Sequence, residues 1–558
     1  MTSSLPSLSD QRRWPRRSFL AVVALIATLC GVLFVRIGAR PIEIFDEARS
    51  ATNAAEMVAT GDWLVARFDG QPDLWNTKPP LLLWVQGALL KAGLPVTAAV
   101  RLPSAIAVTL TVFVAFLFCH LYLGDTLAGA AAALVLITSQ GLTGRHAART
   151  ADYDALLVLF VTVYVLAYFV YLEELAPEGD SRRKGAALVV FWLALLGAVL
   201  TKTAAGLIGL PALLAYTAGV RRLNRVLRDP AVYAGAVLIA APIATFYVLR
   251  EHASPGYLSA TLRNDLLGRY AEVIEGHVGG PYYYVRKMLS GRFVPWVYLV
   301  PLAAGTLAPP RQTAEWRLRL YLLAFAATAF VVLQTARTKL EWYDLQLYPP
   351  LALVIGVWMV SATRRLMSGD SEGRSQSRWR VPVREVVVLS LAFAIPVVHN
   401  LLLFQRDYVS RGATHPSDME TMYGRFLEHL RTDHGLRRFE VVDEGLYKGT
   451  TRAYPNAALR FYATMENVRG GAVTVREPVT AKKTGVVASC DTSAWRATVA
   501  GRAVDTLTTW EGCVAAYVRP ISPLSVAAPA RGTRNGSPKP RTSERDDRTV
   551  GGTSPQHP

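Results

Sequence analysis

SFLAVVALIATLCGVLFVR (Ser18–Arg36) is followed about ten residues later by Phe45-Asp46-Glu47-Ala48-Arg49. The first stretch is uncharged up to its last residue and long enough to cross a hydrocarbon layer as a helix. The second sets two adjacent carboxylates just outside that layer. Such a pair is costly to keep there unless water or a partner solvates it. It is also suited to take a proton from an attacking hydroxyl. Alone, Asp46-Glu47 has an ordinary reading as a helix start, where acidic residues are favoured. Its weight comes from what shares its side of the membrane.

Working outward, apolar runs recur to about Phe404 in a chain of 558 residues that is 51% hydrophobic. This is the pattern of an all-α polytopic membrane protein. Eleven spans are read, within a range of ten to thirteen: about 18–36, 102–122, 126–142, 153–172, 187–203, 204–220, 231–249, 294–309, 318–335, 345–362 and 386–404. The runs are continuous rather than alternating, which excludes a β-barrel reading. The net charge of +18 is distributed by topology. Arg12, Arg13, Arg16 and Arg17 precede the first span, Arg182, Arg183 and Lys184 the fifth, and Arg221, Arg222, Arg225 and Arg228 the seventh. Arg311 and Arg317 precede the ninth, with Arg319 at its start, and Arg364, Arg365, Arg374, Arg378, Arg380 and Arg384 precede the eleventh. The positive-inside rule makes that side cytoplasmic, so the basic excess is not a nucleic-acid surface. The first span has no small-residue cleavage site and is followed by Arg36 and Arg40, so it reads as retained rather than as a signal peptide.

This divides the chain into a basic cytoplasmic N-terminus (1–17), a membrane domain (18–404) with a long outer loop at 37–101, an outer soluble domain (405–520) and a tail (521–558). In the loop, Ala51, Ala54, Ala55 and Val58 share one helical face, and Gly61-Asp62-Trp63 ends that helix. Lys78-Pro79-Pro80 opens an apolar run, Leu81 to Leu90, that is too short to span and reads as interfacial or re-entrant. Trp63, Trp75 and Trp84 suit the headgroup level. The region 405–520 is polar, with strand-like runs at Phe439–Val442 and Gly485–Ala488, and reads as a small α/β or α+β domain. Cys490 and Cys513 fall in it, while Cys30 and Cys119 lie in spans, so the first two are expected to form a disulfide in an oxidising compartment. From about Pro523 the chain is rich in Ser, Pro, Arg and Gly and lacks apolar periodicity, a disorder-type composition.

Single residues again have plain readings: Lys78 and Lys202 as interfacial lysines, Arg149 and Asp152 as a salt bridge, His277 as a solvated histidine. The set is more specific. Carboxylates on the first loop, cations at Lys78, Arg149, Lys202 and Lys339, and a Tyr-rich loop (Tyr282-Tyr283-Tyr284) all face one compartment at the membrane surface. That suits a lipid with an anionic headgroup, in which cations hold a phosphate while a carboxylate activates a hydroxyl.

In order along the chain stand Asp46-Glu47-Ala48-Arg49, Gly61-Asp62-Trp63-Leu64-Val65, Lys78-Pro79-Pro80, Arg149-Thr150-Ala151-Asp152-Tyr153-Asp154, Leu200-Thr201-Lys202 and Lys339-Leu340-Glu341-Trp342-Tyr343. This ordered set, over residues 40 to 350, resembles the GT-C glycosyltransferases that draw on polyprenyl-phosphate sugars, the lipid A aminoarabinose transferases and protein O-mannosyltransferases among them. The resemblance implies an inverting glycosyltransferase of the plasma membrane, with the N-terminus cytoplasmic and the C-terminal domain extracytoplasmic. It implies a polyprenyl-phosphate-linked sugar donor and a lipid, glycan or protein acceptor. Catalysis is then expected at Asp46 and Glu47, with Asp46 as general base or acceptor-positioning carboxylate. Donor-phosphate binding is expected at Lys78, Arg149, Lys202 and Lys339, and cavity shaping at Asp152, Asp154 and Tyr343. No cofactor is required. Some relatives place a metal-binding acid directly before the Lys-Pro pair; here Thr77 stands there, leaving His277 as a candidate ligand for a divalent metal. Relatives often follow the span-five lysine with Gly-Pro, where this chain has Thr203-Ala204. No P-loop pattern is present, consistent with a lipid-linked rather than a nucleotide-linked donor.

Two other classes share parts of this pattern. A transporter or flippase of lipid-linked glycans shows charges near the midplane and internal repeats, whereas the polar clusters here sit at the outer mouths. A non-catalytic scaffold keeps the spans without needing Asp46 or Lys78.

Overall fold

The computed structural model describes residues 15–42, 46–144, 146–266, 268–274, 276–308, 313–367, 383–410, 419–448, 451–482 and 484–521. The basic residues Arg12, Arg13, Arg311, Arg374, Arg378 and Arg380, and the tail from 522, lie outside the described residues.

Among the described residues the apolar runs fold as helices, eight of them long and apolar enough to cross a membrane: Arg16–Phe34, Val96–Tyr122, Tyr153–Glu174, Ser181–Leu207, Pro230–Ala253, Ala314–Thr335, Glu341–Met367 and Val383–Asp407. These correspond to eight of the eleven spans expected. The other three fall on the shorter helices Thr126–Ile137, Leu210–Gly219 and Trp296–Gly305. At roughly 1.5 Å per residue none covers a bilayer core of about 30 Å. Two of them are interrupted locally. Thr203, at φ +33°, breaks the chain before Leu210, and Thr138 and Ser139 turn back to bond carbonyls of the Thr126–Ile137 helix. The run after Lys78-Pro79-Pro80 is the eleven-residue helix Leu81–Lys91, short as expected.

Capping fixes where several helices begin. Asp125, Asp152, Asp180 and Asp229 each accept a backbone N–H at the start of the helix that follows, and Pro230 occupies the first turn of its own. In the first loop the helix Asp46–Thr60 ends at Gly61, whose φ of +73° needs a residue without Cβ. Its Ala51, Ala54 and Ala55 are fully buried. They pack with the helix Ala457–Val468 of the C-terminal region in one apolar cluster.

That region is an α/β domain around a five-stranded mixed sheet, ordered Ala472–Arg476, Arg438–Val442, Gly485–Ser489, Cys513–Pro520, Arg502–Trp510. The first three strands run parallel and the last two complete an antiparallel edge. It is seated on the first loop: Tyr462 Oη accepts Ile42 N at 2.9 Å, Thr52 Oγ1 donates to Ala457 O at 2.9 Å, and Arg460 pairs with Asp69. Cys490 and Cys513 are disulfide-bonded, while Cys30 and Cys119 are free and buried. The bond closes a separation of 23 residues, worth about 3 kcal/mol by restriction of the unfolded chain. Denatured, unreduced protein should therefore take up two alkyl groups, and four after reduction; four without reduction would contradict the pairing.

Candidate active site

Ends of several helices converge on a cavity of about 230 Å³ lined by Asp46, Lys78, His146, Asp152, Lys202, Arg269, His277 and Tyr343, among others. Each polar group arrives by its own element. Asp46 opens the first-loop helix. Asp152 caps the helix Tyr153–Glu174, its Oδ1 accepting Tyr153 N at 2.7 Å, while its Oδ2 lies 3.3 Å from His146 Nδ1. His146, at φ +59°, stacks on Trp342 with centroids 3.7 Å apart. Lys202 ends its helix and holds both oxygens of Asp154, at 2.8 and 2.7 Å, with its ammonium over the Tyr343 ring at 4.7 Å. Arg269 donates to Tyr343 Oη at 3.3 Å.

Behind this front, Asp73 organises the approach to Lys78. Its buried carboxylate accepts Arg49 Nε and Nη2, Asn53 Nδ2 and the backbone N–H groups of Trp75 and Asn76. Burial works against its ionisation, but the Arg49 guanidinium and these donors hold it below the usual carboxylate range. Asn76 then bonds Asn53 and Tyr153, and Lys78 lies 3.4 Å from its Oδ1, over the Tyr153 ring. Arg49 is set between the Phe68 and Trp75 rings.

Electrostatics separate the two facing carboxylates. Burial, then the neighbouring Asp152 charge, raises the proton affinity of Asp46 against the pull of Lys78, His146 and Lys202. Asp152 is buried too, but the His146 contact and the Lys202 charge hold it low. One carboxylate is thus biased toward accepting a proton and the other toward staying ionised.

Of the residues singled out in the sequence, Asp46, Lys78, Lys202, Asp152, Tyr343 and His277 line this cavity. Asp154 is one step behind, against Lys202. Three are placed elsewhere. Glu47 is 1% exposed and locked to Arg101, Nε–Oε1 2.7 Å, and also accepts Ala151 N. Arg149 is buried, donating to Leu33 O with its guanidinium against Phe404. Lys339 donates to Gln334 O and Ala336 O at the C-terminal end of the preceding helix. Trp75, which the sequence groups with Trp63 and Trp84 at the headgroup level, lines the cavity, and Trp84 Nε1 bonds Trp63 O.

The metal reading moves as well. Thr77 Oγ1 donates to the Asp265 carboxylate and offers no acid before Lys78. Among the described residues, the ligand atoms close enough to share a cation are those of Asp46, His146 and Asp152, all within 4.8 Å of one another, without His277. One imidazole and two carboxylates form a donor set that a divalent metal could share.

A second cavity, about 310 Å³, adjoins the first and shares Lys202, Arg269 and Tyr343 with it. Its remaining wall is largely apolar, with lining residues drawn from Ala204 to Pro211 and from Val332 to Ala336.

The helical membrane body and the small C-terminal α/β domain make up the fold of the GT-C glycosyltransferases. Known proteins similar to this chain agree with the resemblance carried by the sequence motifs. The family described as dolichyl-phosphate-mannose-protein mannosyltransferase matches residues 77–248. Undecaprenyl phosphate-alpha-4-amino-4-deoxy-L-arabinose arabinosyl transferase of Aeromonas salmonicida is 28% identical over 345 residues, 61% of this chain and 59% of that protein. A Pseudomonas fluorescens protein of the same description is 25% identical, over 64% of this chain and 58% of that one. The chain thus spans less than two thirds of the length of these relatives. Among solved structures, ArnT from Cupriavidus metallidurans bound to undecaprenyl phosphate superposes with a TM-score of 0.62 at 17% identity, covering 89% of this chain and 97% of that one. The Archaeoglobus fulgidus oligosaccharyltransferase gives 0.53 at 12% identity, covering 84% and 65%.

Proposed function

We propose that this protein transfers a sugar from a polyprenyl-phosphate donor to an acceptor hydroxyl at the outer face of the plasma membrane, with inversion. One observation carries the reading: a cavity holding a proton-accepting carboxylate and several cations opens into an apolar one, and Lys202, Arg269 and Tyr343 stand at the junction. A lipid phosphate at that junction has its charge met on one side and its hydrocarbon covered on the other. Lys78, Lys202 and Arg269 clamp the phosphate, and prenyl units follow the wall from Ala204 to Pro211.

In the transfer, the acceptor oxygen forms its bond to the anomeric carbon as the bond from that carbon to the phosphate oxygen breaks. The acceptor proton goes to Asp46, and the added charge on the departing polyprenyl phosphate is met by the clamp. Asp152 stays ionised and holds His146 against Trp342. The substrates named for the relatives, undecaprenyl-phosphate aminoarabinose above all, support the donor class.

Eleven crossings fit the positions of the chain's turns. Asp46, His146, Asp152, Lys202, Arg269 and Tyr343 meet at one end. Between them the chain visits an opposite end, where Arg364 pairs with Asp125, Arg317 and Arg222 with Glu173, and Lys184 with Asp229. The C-terminal domain is back on the first-loop side. This alternation supports a route in which the three short helices complete crossings together with the turns beside them. Single cysteines at the exposed positions Ala59 and Glu178 should then label from opposite sides, Ala59→Cys from outside. Labelling of both from one side would defeat the topology.

Mass spectrometry of envelope lipids and glycans tests the function in cells. Deleting the gene should remove one sugar modification, restored by the wild type and not by Asp46→Asn. An unchanged profile would count against it.

A further inference from the structure

The second cavity contains a polar group that the reading above leaves unused. Gln346 lies three residues beyond Tyr343, in the short helical segment Glu341–Leu347. It is 4% exposed and lines the cavity together with Asp154, Lys202 and Arg269. Both atoms of its amide, Nε2 and Oε1, are buried without a hydrogen-bond partner among the described residues. A side chain that can both donate and accept is expensive to leave unmet in such a place. Within a membrane domain, polar side chains of this kind mark ligand sites.

The unmet amide constrains the ligand. A hydrocarbon tail satisfies neither atom. A phosphate offers only acceptors, so it satisfies Nε2 and leaves Oε1 stranded. A hydroxyl both accepts and donates, and a sugar carries several on neighbouring carbons, so one primary amide can bond two of them at once. The neighbouring Asp154 carboxylate, already held by Lys202, adds an acceptor beside it. Lys202, Arg269 and Tyr343 border both cavities, so a ring attached to a phosphate held there straddles the junction, with its anomeric carbon toward the cavity of Asp46 and its far hydroxyls toward Gln346, while the prenyl chain leaves along the lining from Ala204 to Pro211.

We propose that the inner wall of the second cavity is the donor's sugar-recognition subsite, with Gln346 reading ring hydroxyls and so determining which polyprenyl-phosphate sugar is accepted. This rests on the donor class proposed above, and the test separates the two claims.

Gln346→Leu removes both hydrogen-bonding atoms while keeping a side chain of similar size. Binding would be measured on purified protein for undecaprenyl phosphate and for a panel of undecaprenyl-phosphate pentoses and hexoses. The expected result is that the glycosylated lipid bound best by the wild type loses about tenfold in affinity, while undecaprenyl phosphate itself binds as before. The thermal midpoint of the ligand-free variant should stay level or rise, because an unmet amide has been taken out of an apolar wall. Equal losses for both lipids would make Gln346 a phosphate contact and overturn the proposal. No loss for either, or a fall in the thermal midpoint that reveals an internal partner, would overturn it as well. So would a wild type that binds undecaprenyl phosphate but none of the glycosylated lipids. A wild type that binds none of the lipids, the bare phosphate included, would refute the donor class first and this subsite with it.

Discussion

Asp46→Asn should lower turnover by about 100- to 10,000-fold while leaving donor binding intact. The substitution keeps the size and most of the hydrogen bonding of the side chain and removes only its basicity. Lys78, Lys202 and Arg269 remain to hold the phosphate. The same chemistry sets a pH dependence. Asp46 must be ionised to accept the acceptor's proton, and burial beside Asp152 raises its pKa. Activity should therefore fall with acidification through a midpoint above the usual aspartate value of about 3.9, and the wild type's limb should be absent from whatever residual rate Asp46→Asn retains. Unchanged turnover in the variant would strip Asp46 of its role.

The neighbouring carboxylate should behave in the opposite way. Glu47 binds Arg101 through two contacts, at 2.7 and 2.8 Å, and accepts Ala151 N at 2.9 Å. Arg101 in turn donates to the carbonyls of Ile37, Arg40 and Pro41. The pair thus fastens the start of the first loop to the helices Val96–Tyr122 and Tyr153–Glu174. Glu47→Ala leaves the guanidinium buried without its counter-ion, a loss of about 3–5 kcal/mol. Thermal unfolding in detergent should show a large drop in midpoint. A Glu47→Ala protein as stable as the wild type but unable to turn over would instead return Glu47 to the catalytic group.

The contrast between Asp46 and Glu47 shows where sequence reading stops. Two adjacent acids look alike in the chain, yet on a helix they point about 100° apart, so one enters the cavity and the other the helix interface. Charge and side of the membrane alone place Arg149 and Lys339 in the expected phosphate clamp. Whether a long cation reaches a cavity depends on nearby acceptors, here Leu33 O for one and Gln334 O and Ala336 O for the other. Arg269 and His146 had no distinguishing signal, because their neighbours Tyr343 and Trp342 lie far along the chain. Long apolar runs, by contrast, leave the backbone no alternative to a helix in lipid, so the eight long helices were legible. Two of the short ones depend on interruptions, such as the turn at Thr203, that composition averages away. The disulfide was legible by exclusion, since the other two cysteines sit in apolar runs.

The central claim is that the donor is a polyprenyl-phosphate sugar. Purified wild-type protein incubated with radiolabelled undecaprenyl-phosphate sugars and a membrane lipid extract tests it directly. The account predicts that label leaves one of these donors for an acceptor and that free undecaprenyl phosphate appears in equal amount, with no nucleotide added. If the protein neither bound nor consumed any of them, the transferase reading would give way to that of a membrane scaffold.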